Sequence, residues 1–180
     1  QHAAALKALS PRGYLALGDA YQGTGDLAAA IQSWDTARQA GIQAGEILPR
    51  WLAVHRAQGD TPAVIADLQA LSNLRPADVQ IRYQLGLYLA AHQPGEALAH
   101  LAQVADLEPA LKPQAEALLG SIRLASRTDD PAYILLESGR ALASLGEWGL
   151  AADAFQGAVD LRPDYAEAWA YLGEARQHLD

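Results

Sequence analysis

Small and large apolar positions recur along the chain in a fixed ladder. From Gly139, steps of 12, 4, 3 and 5 residues reach Ala151, Phe155, Ala158 and Pro163. The same steps from Leu52 reach Val64, Leu68, Leu71 and Pro76, and from Gly18 they reach Ala30, Trp34, Ala37 and Ile42. From Gly86 the first step is one residue shorter, giving Ala97, Leu101, Val104 and Pro109. Gly18, Leu52, Gly86 and Gly120 are each 34 residues apart, and so are Gly139 and Gly173. Such self-similarity predicts repeated helix-turn-helix units. Small residues would let two helices cross closely, and Trp34, Leu68, Leu101 and Phe155 would fill the space beside them.

Punctuation falls where that reading requires it. Gly25-Asp26, Gly59-Asp60, Pro94-Gly95 and Gly146-Glu147 mark turns between paired helices. Arg75-Pro76, Glu108-Pro109 and Arg162-Pro163 end second helices, since proline cannot extend them. Ser10-Pro11, Thr61-Pro62 and Asp130-Pro131 each join a capping side chain to a first-turn proline, and so mark helix starts.

At these residues the chain resembles the tetratricopeptide repeat family. Leu135, Ser138-Gly139, Leu142, Gly146, Ala151, Phe155, Ala158 and Pro163 follow the family pattern best, and Tyr14, Leu17-Gly18, Tyr21, Gly25-Asp26, Ala30 and Trp34 repeat it. The resemblance implies an all-α fold, a right-handed superhelical solenoid of about five units, one of them incomplete. The expected organisation is one solenoid over 1–180. It comprises a remnant helix at 1–10, repeats at 11–44, 45–78 and 79–112, an irregular half-repeat at 113–130, a repeat at 131–165 and a capping helix at 166–180. Leu52 replaces the small glycine of the second unit and His55 its usual aromatic, so a wider or shifted crossing is expected there. Trp169 and Leu172-Gly173 open a further unit without a second helix. Glu174, Arg176, Gln177, His178 and Asp180 would keep its outer side wet.

Gly120 and Gly139 are only 19 residues apart, so one second helix is absent. A kink or phase change is therefore expected near Arg127–Asp130, against the alternative of a longer hairpin that keeps the superhelix continuous.

Composition narrows the function. The 180 residues are 51% hydrophobic, enough to bury a core without disulfides, and the lack of Cys removes thiolate metal sites and Cys nucleophiles. A net charge of −8, from 13 basic and 21 acidic residues, argues against nucleic-acid or anionic-membrane partners. No apolar run approaches the ~20 residues that span a bilayer. Gln1 at the start and the lack of Met are read as a fragment of a larger protein, with cytoplasmic and extracytoplasmic compartments both open. The five His are scattered, without ligand spacing. His55 reads as a core or groove residue, Gly23-Thr24-Gly25-Asp26 as a turn rather than a phosphate loop, and Asp129-Asp130 as a helix cap rather than a metal pair. No cofactor, metal or catalytic constellation is expected, and the chain is read as a non-enzyme.

In the resembled family first helices line the concave face, which implies a groove for a partner peptide or helix. The wet stripe of these helices carries Arg12, Leu15 and Asp19, then Glu46, Arg50 and Arg56, then Tyr83 and Leu87, then Tyr133, Leu136 and Arg140. These mixed aromatic, apolar and charged groups suit an extended segment. The chaperone-tail clamp found in part of the family needs Lys and Asn where this chain has Leu15, Asp19, Arg50, Gln80 and Gln84, so that role is not expected. The leading expectation is a non-catalytic interaction scaffold. The alternatives are homo-oligomerisation, with Tyr88, Trp148 and Trp169 supplying contacts, and a ligand- or peptide-sensing regulatory segment of a multidomain protein.

Overall fold

The computed structural model describes residues 9–180, and all regular structure among them is helical. The remnant helix expected at 1–10 falls mostly outside this range. Ten α-helices follow: α1 Pro11–Thr24, α2 Leu27–Gln39, α3 Ala44–Gln58, α4 Thr61–Leu74, α5 Val79–His92, α6 Pro94–Leu107, α7 Lys112–Ala125, α8 Pro131–Ser144, α9 Trp148–Leu161 and α10 Ala166–Gln177. They form two compact units, one ending at Leu74 and one spanning Arg75–Asp180.

The first unit holds two hairpins, α1/α2 and α3/α4. Ser10 and Asp26 start the first pair, their side chains accepting from the backbone N–H groups of Gly13 and Ala29 at 3.1 Å each. Gly25 turns the chain with φ 83°, a left-handed conformation that favours glycine. Gly18 explains the ladder physically. A Cβ there would sit 2.3 Å from the Trp34 Nε1, so only glycine admits the fully buried indole. Leu15, Ala30, Ala37, Ile47 and Val54 complete this core. In α3/α4 Leu52 occupies the glycine place, and the two helices pack less closely than those of the other hairpins.

The second unit repeats the glycine device twice. A Cβ at Gly86 would meet Leu101 at 2.8 Å, and one at Gly139 would meet the Phe155 ring at 2.5 Å. Between the α5/α6 and α8/α9 hairpins stands α7, a first-type helix with no second helix of its own. It ends in a 3-10 turn at Ser126–Thr128, and Asp129 then takes φ 51° before Asp130 caps α8. This is the phase break expected near 127–130. Beyond it α8 packs on α7 and both α8 and α9 pack on α5. The Ser138 hydroxyl fixes that return by donating to the Ala90 carbonyl at 2.6 Å in the core. Helix α10 then lies on α9.

Candidate functional site

The first unit gathers three of its four expected site residues into one ionic network. Asp19 on α1 accepts from Arg50 Nε at 2.7 Å and Nη2 at 3.0 Å, a bidentate pairing with α3. The same Asp19 carboxylate accepts from Trp34 Nε1 at 3.0 Å, which ties α2 in as well. Arg50 Nη1 donates to the Glu46 carbonyl at 2.6 Å, and Arg12 stands 3.8 Å from the Glu46 carboxylate. The guanidinium of Arg50 holds the Asp19 carboxyl below its ordinary range, and Asp19 raises Arg50 in turn. Arg56 lies exposed in the last turn of α3. The network presents charge of both signs on the α1/α3 face, with Asp19 and Arg50 already satisfied by each other.

Within the second unit the expected stripe separates into two classes. Arg140 is exposed on α8, bonded to Glu137 at 2.8 Å and lying 5.3 Å from the ring centre of Tyr171 on α10. Tyr171 stacks on Phe155 at 5.4 Å between centroids. Together with Ala143, Ser144, Trp148 and Glu174 these residues line a hollow of about 390 Å³ on α8, α9 and α10. Tyr133 is half-buried at the start of α8. Near it Arg162 pairs with Asp130 and covers the Tyr165 ring at 4.6 Å. Tyr83 is half-buried, and burial with the Glu147 charge pushes its phenol up.

Leu87 and Leu136 are corrections. They are 6% and 0% exposed, so both belong to the core rather than to a wet groove. Helix α5 is covered by α6 on one side and by α8 and α9 on another, and α8 is enclosed by α5, α7 and α9. Leu15 is likewise buried, at 7% exposure. Sequence reasoning missed Tyr171, Trp148 and Phe155 as lining groups. A signal for Tyr171 was available, because it lies 34 residues after Glu137, on the same helix face by repeat register.

Other polar clusters have structural partners. His55 Nδ1 lies 2.7 Å from Asp67 Oδ2 between α3 and α4, and burial pushes the Asp67 carboxyl up. Asp130 accepts from the backbone N–H groups of Ala132 and Tyr133, which makes it the helix cap expected from sequence. Among the described residues no group of three or more His, Asp or Glu could hold a metal ion, and no helix is long and apolar enough to cross a membrane. A second hollow of about 410 Å³ opens between His92, Pro94, Pro131, Ile134, Leu135 and Leu161, all within the second unit.

No protein-family model matches the chain, and no curated protein matches it. Solved structures similar in fold include two that span most of the chain. One is YrrB, a TPR protein with an unusual peptide-binding site, at 20% identity and a TM-score of 0.47, covering 89% of this chain and 73% of its own. The other is MamA, at 18% identity and a TM-score of 0.48, covering 94% of this chain and 82% of its own.

Proposed function

We propose that this chain is a non-catalytic, tetratricopeptide-like interaction module that binds a segment of another protein on the faces of its first helices. The observation that carries the reading is the hollow beside Arg140. Its walls are Trp148 and Tyr171, with the buried Phe155 ring beneath Tyr171, and its rim bears Arg140 and Glu174. Aromatic rings and arginine are the side chains that most often dominate interface energies, because they bury large areas while still making directed contacts. A hollow of about 390 Å³ accepts one large side chain. The fitting segment is an extended peptide or short helix that anchors an aliphatic or aromatic residue there and turns a carboxylate to Arg140. In the first unit, Arg12, Asp19, Arg50 and Arg56 form the corresponding polar face, where a ligand has to compete with the Asp19–Arg50 pair.

The test is selection from a random peptide display library on the folded chain, followed by affinity measurement of the enriched peptides. Selected peptides should share a large apolar residue beside an acidic one and weaken at least tenfold against Tyr171→Ala or Arg140→Ala. Enriched peptides that bind both variants as tightly as the parent would refute this surface as the binding face.

A further inference from the structure

One position of the repeat holds a charge where its equivalents are apolar. The residue four places before the small residue of each first helix is Tyr14, Leu48, Arg82, Glu116, Leu135 or Trp169. Leu48 and Leu135 are buried, and Glu116 is exposed on α7. Arg82 is the one charged side chain of the six in a buried place, at 9% exposure. Its Nη2 donates to the Pro76 carbonyl at 2.9 Å. That hook needs no charge, because Trp169 gives the equivalent carbonyl, that of Pro163, a neutral N–H at 2.9 Å.

Among the described residues the Arg82 guanidinium has no carboxylate partner. Asp78, the nearest acid along the chain, is committed to capping α5 through the Ile81 N–H at 3.2 Å. Nε and Nη1 of Arg82 make no hydrogen bond among the described residues, and neither atom is shut off from water. Close by on α6 is His100, which is half-buried. Burial pushes its imidazole below the ordinary range, the Arg82 charge adds to that, and Glu96 on the same helix works against it. A buried cation without a counter-ion, set beside a second basic group, costs stability that a leucine would not. Local rules are broken in this way where a fold gives up stability for a function.

We propose that Arg82, with His100 beside it, binds a phosphate group. The guanidinium keeps its donors on Nε and Nη1 and the second hydrogen of Nη2, enough to hold two oxygens of one anion. A carboxylate would answer only the single charge of Arg82. A phosphate carries more charge and has oxygens left over for the imidazole. With a net charge of −8 the chain as a whole repels anions, so capture rests on these local donors. The site lies on α5 and α6, apart from the hollow at Arg140, and does not depend on it.

The probe is inorganic phosphate, titrated into the intact chain at constant ionic strength. It is followed by NMR at the arginine Nε–H signals and at the His100 ring, the latter assigned with His100→Gln. Saturable shifts are expected at both Arg82 and His100, with acetate at least tenfold weaker. Arg82→Leu should abolish the His100 response, and Arg82→Lys, which keeps the charge but loses the fork, should weaken it at least tenfold. Without phosphate, Arg82→Leu should unfold at the parent's urea midpoint or above it, since leucine fills the same place at Leu48 and Leu135. A tighter response to O-phosphoserine than to phosphate would assign the site to a phosphorylated segment, and a weaker one to the free ion. Absence of a saturable shift, acetate binding as tightly as phosphate, or an undiminished His100 response in Arg82→Lys overturns the proposal. So does a lowered urea midpoint for Arg82→Leu in phosphate-free buffer, which would make the charge structural.

Discussion

In the α8/α9 hairpin Gly139 lies under the ring of Phe155, which is 1% exposed, and the helices close directly on each other. In α3/α4 the same two places hold Leu52 and Leu68, and the room for close crossing is gone. The same two helices carry a polar couple, His55 on α3 and Asp67 on α4, joined at 2.7 Å. The first arrangement relies on contact between a bare backbone and a large ring, where dispersion and apolar burial act together. The second relies on a polar couple taken out of water, which stabilises only while both partners are present. A repeat can therefore keep its ladder and its turns while exchanging one kind of cohesion for the other.

The largest expected effect is at the ring. Phe155→Ala removes a fully enclosed aromatic whose glycine seat cannot collapse to refill the space, and should cost about 3–5 kcal/mol in urea unfolding. A loss under about 1 kcal/mol would show that the hairpin does not depend on that contact. Next is the polar couple. His55→Ala leaves Asp67 6% exposed without its partner, at an expected cost of about 1–3 kcal/mol. The pair His55→Phe with Asp67→Ala restores an apolar interface and should cost less than His55→Ala alone. If the double variant instead costs the sum of the two single changes, His55 and Asp67 act independently and the contrast between the hairpins fails.

The helices and their pairing were legible in the chain because glycine seats, large fillers and turn residues are local and periodic. Gly18 with Trp34, Gly86 with Leu101 and Gly139 with Phe155 are each a spacing that became a contact. The phase break was legible too, from the short interval between Gly120 and Gly139. What could not be read was the consequence of that break. Helices α8 and α9 return onto α5, and Leu87 and Leu136 are buried in this unit; no spacing within one repeat encodes a contact across an inserted helix. The ion pair between Asp19 and Arg50 escaped the sequence for a related reason: both looked like free groove residues, although they lie 31 residues apart and satisfy each other. Tyr171 was within reach of the repeat register, 34 residues after Glu137.

The smallest effect is also the sharpest, because it sets one residue type against itself at equivalent positions. Glycine inside a helix is less favourable than alanine by about 0.5–1 kcal/mol, since its unfolded chain has more freedom to lose. At Gly173 nothing offsets that term, as the added methyl enters open space, so Gly173→Ala should raise stability by about 0.5–1 kcal/mol. At Gly139 the same methyl would stand 2.5 Å from the Phe155 ring, and displacing a buried ring costs about 1–3 kcal/mol, more than the helix gains. The two substitutions should therefore shift the urea midpoint in opposite directions. Destabilisation by Gly173→Ala would mean that its seat is already occupied in the free protein, and the difference between α8 and α10 would disappear.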